Sequence, residues 1–244
     1  MSHAHAPVML APGVPFPPAD HALHDPNGLL AIVGDLSPGR LLDAYRHGIF
    51  PWFSAGQPIL WWSPDPRMVF RTDRVRLSSR FRRTLRTSTW IVRADTRFDE
   101  VIEACARIPR PGQRGTWITP AMRRAYGELH RLGHAHSVEV LDGERLVGGI
   151  YGVAVGAMVF GESMFSAESG GSKVALAALA RALHAWDCPL IDAQVENDHL
   201  PTLGAESLPR KAFLERVQAL VQAPESPGAW TDRFGTMPAS ALAR

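Results

Sequence analysis

Apolar positions along the chain fall into two periods. Phe98, Val101, Ile102 and Cys105 recur at spacings of three and four, as one face of a helix requires. That face makes Cys105 a core residue rather than a nucleophile. Leu41, Leu42 and Tyr45 form a second such face behind Ser37-Pro38, which reads as an N-cap followed by proline at the first helical position, and Gly48 is the stop. Thr119-Pro120 opens another helix ending near Gly133, and Ala- and Leu-rich residues 172–186 and residues 209–221 supply two more. Strands are predicted at 59–62, 68–70, 137–141, 145–155, 157–162 and 190–195, with the turn dipeptide Asp142-Gly143 joining the third and fourth into a hairpin. Ser63-Pro64-Asp65-Pro66 divides the first two strands. The expected organisation is an irregular Pro-rich arm over 1–20, a small N-terminal domain over 21–66 and a larger domain over 67–244. The fold class is α/β (α+β), with a central mixed, largely antiparallel sheet flanked by helices.

Composition narrows the class. With 45% hydrophobic and 20% charged residues in 244, and no internal repeat, the chain can bury a core and is neither disordered throughout, collagen-like nor a coiled coil. The uncharged apolar run 146–161 contains Gly148, Gly149, Gly152 and Gly156, so it is short and glycine-rich for a membrane helix. The first twenty residues lack a secretory pattern, which points to a cytoplasmic protein with no membrane partner. Cys105 and Cys188 stand 83 positions apart without a CxxC, excluding a disulfide scaffold or zinc ribbon. His130, His134 and His136 have no HExxH or acidic third ligand nearby, so no metal is expected.

The net charge of +2 hides a polarised chain. Residues 67–131 hold 16 Arg against 6 acids, while the remainder is net acidic. Arg76, Arg80, Arg82, Arg83 and Arg86 fall in the densest stretch, 67–86, which has eight Arg and the single acid Asp73. Guanidinium groups bind phosphate oxygens bidentately, so such a block fits a polyanion partner; the competing reading is a solvated surface in an Arg-preferring protein. Trp117 follows an Arg- and Gly-containing loop, and Trp52, Trp61 and Trp62 flank the first predicted domain core. Indole faces beside an arginine stripe suit a single-stranded nucleic-acid end, although Trp61 and Trp62 read better as core.

Nucleotide motifs are absent. Gly170-Gly171-Ser172-Lys173 lacks the GxxxxGK[ST] spacing, no GxGxxG follows a strand, and no GxSxG elbow occurs. The informative segment is LIDAQVENDH, 190–199. On a strand, Asp192 and Gln194 share a face with Leu190, and Asn197 lies just beyond. A carboxylate that accepts the amide NH₂ leaves the amide oxygen pointing outward, where it can accept from an amine; the alternative is a polar strand end satisfying its own neighbours. Glu162 follows an apolar run and needs a cation or a proton, supplied by a ligand ammonium or by one of the arginines.

Longer segments are more specific. PNGLLAIVGDLSPGRLLDAYRHGIFPWF at 26–53, PILWWSPDPR at 58–67, GTWIT at 115–119, GHAHSVEV at 133–140, LVGGIYGVAVG at 146–156, GESMFS at 161–166 and LIDAQVENDHLPTLGA at 190–205 resemble the bacterial leucyl/phenylalanyl-tRNA–protein transferases. The resemblance spans residues 25–215 and leaves out the Pro-rich arm and the tail after Pro224. It implies a small N-terminal domain joined to a GNAT (acetyltransferase)-like catalytic domain. It also implies an enzyme moving Leu or Phe, less readily Met, from aminoacyl-tRNA to proteins beginning with Arg or Lys, which marks them for degradation. By the same resemblance, Trp52 and Trp117 recognise the 3′ adenosine, and Ile150, Val159, Met164 and Phe165 wall the pocket for the Leu or Phe side chain. Asp192, Gln194 and Glu162 are placed at the reacting centre with Asn197 close by. The expected chemistry is orientation of Gln194 by Asp192, with the Gln194 oxygen accepting a hydrogen from the attacking amine. No cofactor is required, and a monomer is expected. Two other classes compete. An acyl-CoA-dependent acetyltransferase predicts a Gly-rich pyrophosphate loop that the chain lacks, and a non-catalytic RNA-binding protein leaves Asp192 and Gln194 without a task.

Overall fold

The computed structural model describes residues 6–11, 13–108, 116–224 and 228–243. A four-stranded sheet is built from β1 (Val8–Leu10), β2 (Leu29–Val33), β3 (Phe50–Pro51) and β4 (Leu60–Trp62) in the order β1-β2-β4-β3. An eight-stranded sheet follows from β5 (Arg67–Arg71), β6 (Ile91–Ala94), β7 (Ala135–Asp142), β8 (Arg145–Val155), β9 (Met158–Ser166), β10 (Leu190–Gln194), β11 (Glu206–Leu208) and β12 (Met237–Pro238), ordered β11-β5-β10-β9-β8-β7-β6-β12. Among the described residues, every pairing in the larger sheet is antiparallel except β9 with β10. The expected mixed, largely antiparallel sheet is therefore present.

Seven helices among the described residues cover it: α1 (Pro38–Arg46), α2 (Ser79–Leu85), α3 (Phe98–Arg107), α4 (Pro120–Arg131), α5 (Gly171–Ala185), α6 (Arg210–Leu220) and α7 (Thr231–Phe234). Local chemistry starts two of them as read from the chain. The Ser37 side chain accepts from the Arg40 amide ahead of α1, and the Thr119 side chain accepts from the Met122 amide ahead of α4. Strand alternation then divides the core. Tyr151, Val153, Phe160 and Leu190 face α1, α3, α4, α6 and the small sheet, while Ile150, Val159 and Ile191 face α2, α5 and the C-terminal segment. Phe98, Val101, Ile102 and Cys105 are all buried, Cys105 completely.

Two glycines place α5. A Cβ on Gly148 of β8 would lie 2.4 Å from the Gly171 backbone, so the helix start rests directly on the strand. Close packing thus accounts for the Gly170-Gly171 pair, and Gly170 itself has φ 91.

The irregular arm over 1–20 needs correction. Val8–Leu10 pairs in parallel with Leu29–Val33, Leu10 is buried, and the Phe16 ring meets Trp61 edge-on at 4.8 Å. A three-residue strand is too short to show a period, and prolines around it mask its apolar triplet. The strand β6 and the elements after residue 230 likewise escape a periodicity reading, because each is only two to five residues long, and β6 and β12 find their sheet partners far along the chain. No helix among the described residues is long and apolar enough to cross a membrane.

Candidate active site

The site lies where the larger sheet parts. Strand β10 pairs with β9 from Leu190↔Met158 to Asp192↔Phe160 and then leaves it, while β9 runs on to Ser166 beside β8. A register shift between Asp192 and Gln194 against β5, with φ 62 at Gln194, bends β10 away. An L-residue in this left-handed region is uncommon and costs about 1–2 kcal/mol, and such strain concentrates where a side chain must be aimed. A pocket of about 260 Å³ occupies the parting, lined on its apolar side by Phe70, Ile150, Met164, Leu176, Ile191 and Leu200. Trp117, Glu162, Asp192 and Asn197 complete its wall.

Asp192 is held by a group that the sequence does not single out. The guanidinium of Arg67, fully buried, donates Nε to Oδ1 at 2.8 Å and Nη2 to Oδ2 at 2.6 Å. Its Nη1 donates to the Gly48 carbonyl at 3.0 Å, and its Cζ lies over the Phe50 and Phe213 rings, 4.7 and 4.5 Å from their centroids. The pair therefore has hydrogen bonds and aromatic faces in place of water. By sequence Arg67 belongs to the basic stretch, because such a block by itself does not show which guanidinium turns inward.

The expected relay between Asp192 and the Gln194 amide is corrected by these contacts. Asp192 Oδ1 accepts from the Gln194 backbone N–H at 2.9 Å, whereas Gln194 Nε2 donates to Glu162 Oε1 at 2.9 Å. Asp192 thus fixes the bent main chain, and Glu162 sets the amide. Among the described residues no arginine pairs with Glu162. It accepts instead from Tyr45 Oη at 2.7 Å and Tyr126 Oη at 2.8 Å, and the two hydroxyls are 2.5 Å apart. Burial pushes the Glu162 carboxyl from 4.5 up to about 7; the donors from Tyr45, Tyr126 and Gln194 lower it, and the nearby Asp192 charge raises it. Burial, with the adjacent Glu162, also raises both phenols well above their ordinary range, so they keep their protons. The phenols come from α1 and α4, where helical spacing makes Tyr45 a core position and gives Tyr126 no role.

Other site residues separate. Ile150 and Met164 line the pocket, but Val159 and Phe165 do not. Phe165 follows Met164 on a strand and so faces the opposite side, against Gly149 and Val101. Val159 shares the pocket's face but lies farther along β9, lining a different cavity with His136 and Trp186. Trp52 is also outside the pocket: its ring packs on Trp62 at 5.8 Å and its carbonyl accepts from Trp62 Nε1. Asn197 Oδ1 accepts the amides of His199 and Leu200, so it shapes the turn beside the pocket. Arg76, Arg80, Arg83 and Arg86 are exposed and Arg82 is half-buried, and among the described residues none of the five forms an ion pair. His136 is engaged by Asp95 at 2.8 Å, and no cluster of three or more His, Cys, Asp or Glu among the described residues can hold a metal.

A mixed sheet in an α/β fold, parted beside a parallel strand pair, thus holds a buried polar cluster and a pocket at the parting. Residues 69–218 match the family model for leucyl/phenylalanyl-tRNA protein transferase, and residues 34–65 match its N-terminal domain. The chain belongs to the leucyl/phenylalanyl-tRNA–protein transferase family. It is 72% identical over 228 residues to the transferase of that name from Xanthomonas euvesicatoria pv. vesicatoria (strain 85-10), covering 93% of this chain and 91% of the relative. The Xanthomonas axonopodis pv. citri (strain 306) protein of the same name is 68% identical, with 98% and 96% covered. That of Xylella fastidiosa (strain M23) is 66% identical, with 92% of each chain covered.

Proposed function

We propose that the chain transfers Leu or Phe, and Met less readily, from aminoacyl-tRNA to the α-amine of proteins beginning with Arg or Lys. The observation that carries this reading is the buried contact of Gln194 with Glu162, a carboxyl that lines the pocket beside Ile150 and Met164. An aminoacyl ester is already activated, so the protein's task is to hold a neutral amine against the ester carbonyl. The Gln194 NH₂ is committed to Glu162, which leaves the amide oxygen to accept a hydrogen from that amine. Asp192, clamped by Arg67, is a positioning residue acting on the Gln194 main chain. Ile150, Met164, Phe70, Leu176 and Leu200 receive the donor side chain, and an Asp or Lys side chain there would bury an unpaired charge. Trp117 is the stacking face for the terminal adenosine. Incubation with labelled Leu-tRNA and an Arg-initiated peptide tests the reading. Peptide labelling is expected; turnover of acetyl-CoA, or tRNA binding without transfer, would replace it.

The exposed arginines Arg76, Arg80, Arg83 and Arg86, with half-buried Arg82, form the surface for tRNA phosphates. Arg80 and Arg83 lie one turn apart on α2 and are solvent-exposed, so their removal leaves the core intact. Arg80→Ala combined with Arg83→Ala is expected to weaken tRNA binding and reduce the log–log salt slope by roughly 0.7–0.9 for each phosphate no longer neutralised. Trp117→Ala is expected to leave that slope unchanged while weakening a minimal aminoacyl-adenosine donor by about 1–3 kcal/mol. Titrations at several salt concentrations decide it, and an unchanged slope in the arginine variant means the stripe is solvated surface.

A further inference from the structure

Three hydrogen-bond-length contacts close a ring at the site: Tyr45 Oη to Tyr126 Oη at 2.5 Å, Tyr45 Oη to Glu162 Oε1 at 2.7 Å and Tyr126 Oη to Glu162 Oε2 at 2.8 Å. Each contact needs one hydrogen, and the two phenols bring two. The third must sit on the carboxyl, for otherwise two lone pairs face each other across one edge. While Glu162 is ionised both phenols donate to it, and once it is protonated the ring closes in either sense. In one, Glu162 Oε2–H donates to Tyr126, Tyr126 donates to Tyr45, and Tyr45 donates to Oε1, which also accepts the Gln194 NH₂. The ring is thus built to hold a proton.

Among the described residues, the neighbouring groups offer no other place for one. Asp192 is fully buried and bidentate with Arg67, so protonating it would strand a buried guanidinium. The Gln194 amide accepts a hydrogen bond but is not a base. Tyr151, from β8, stands near both phenols and raises them further. Arg67 reaches the cluster through Asp192. Glu162 lines the pocket and is therefore the group facing the reacting amine.

We propose that Glu162, closed into a ring with Tyr45 and Tyr126, is the proton acceptor of the transfer reaction, an inference that rests on the activity proposed above. The acceptor's α-ammonium gives one proton to the Glu162 carboxylate, leaving a neutral amine and a completed ring. The nitrogen lone pair then forms the C–N bond at the ester carbonyl. The C–O bond to the ribose breaks with its electron pair on oxygen, and an N–H proton passes to that oxygen. The ring proton returns to solvent before the next turnover. Tyr45 and Tyr126 are positioning residues that make the protonated carboxyl a fully bonded state.

Infrared spectroscopy of the free full-length protein reads the ring without turnover. The wild-type pH-difference spectrum, assigned against Glu162→Gln, is expected to show a carboxylic-acid carbonyl band in acid that gives way to carboxylate through about pH 7. A carboxylate already present near pH 5, or an acid band persisting near pH 9, overturns the proposal. Transfer to an Arg-peptide provides the second readout. Near pH 6.5, Glu162→Gln is expected to fall about 100-fold and Tyr126→Phe about tenfold. By about pH 8.5 the peptide amine, with an ordinary pKa of about 7.7–8.0, arrives neutral, and the Glu162→Gln deficit is expected to shrink at least about tenfold. A deficit equal at both pH values overturns the role, since it reports a charge that merely binds the ammonium. Absence of transfer by the wild type sinks the proposed activity, and the infrared titration then still decides whether the ring holds the proton.

Discussion

Arg67→Ala is expected to lower the unfolding free energy by about 3–5 kcal/mol, because it leaves Asp192 charged and uncompensated at a fully buried position. For a chain of this size, each kcal/mol shifts Tm by about 2–4 °C, so a fall of roughly 10 °C should appear in a thermal melt. Asp192→Ala exposes the same pair from the other side and should destabilise comparably, which makes it a poor test of chemistry taken alone. Replacing both partners together, as Arg67→Met with Asp192→Leu, should recover much of the stability because no charge is stranded. It should not restore transfer, since the Gln194 amide would lose the Asp192 acceptor that holds the bent strand. A loss below about 1 kcal/mol for Arg67→Ala would show that the pair is not the staple described here.

Gln194→Ala is expected to cut single-turnover transfer about 100-fold while aminoacyl-tRNA affinity stays near wild type, as removal of a group acting on the incoming amine requires. Gln194→Gly separates the chemistry from the backbone. With φ 62 at this position, glycine relieves the left-handed strain, so stability should hold or rise while transfer is lost. Transfer within about threefold of wild type for Gln194→Ala would remove the amide from the mechanism.

Helices α1 and α3 were legible because each repeats apolar residues at helical spacing, and α1 and α4 start at a Ser-Pro or Thr-Pro cap whose bond is local. The β7–β8 hairpin was legible for the same kind of reason: Asp142-Gly143 specifies its turn within four residues. The segment holding Asp192 and Gln194 was also identifiable, from its run of polar residues at a strand end. Its wiring was not. Strand alternation put the two side chains on one face and suggested that they bond each other, but the register shift after Asp192 sends the Gln194 amide to Glu162 instead.

The partners of that cluster are far apart along the chain. Glu162 meets Tyr45 across 117 positions and Tyr126 across 36, and Arg67 meets Asp192 across 125. Tyr45 looked like one more apolar face residue, and Arg67 like one more arginine of a basic stretch. The choice of pocket residues shows the same division. Adjacent Met164 and Phe165 necessarily face opposite ways on β9, yet which of the two borders the parting depends on where β10 stops pairing. Local spacing, caps and turn residues determined the elements and the candidate segments, because those interactions close within a few residues. Which arginine turns inward, which carboxyl meets two phenols and where the sheet opens were decided by the packing of α1, α4, β5, β9 and β10 together. Desolvation and hydrogen-bond geometry act between neighbours in space, whatever their separation along the chain.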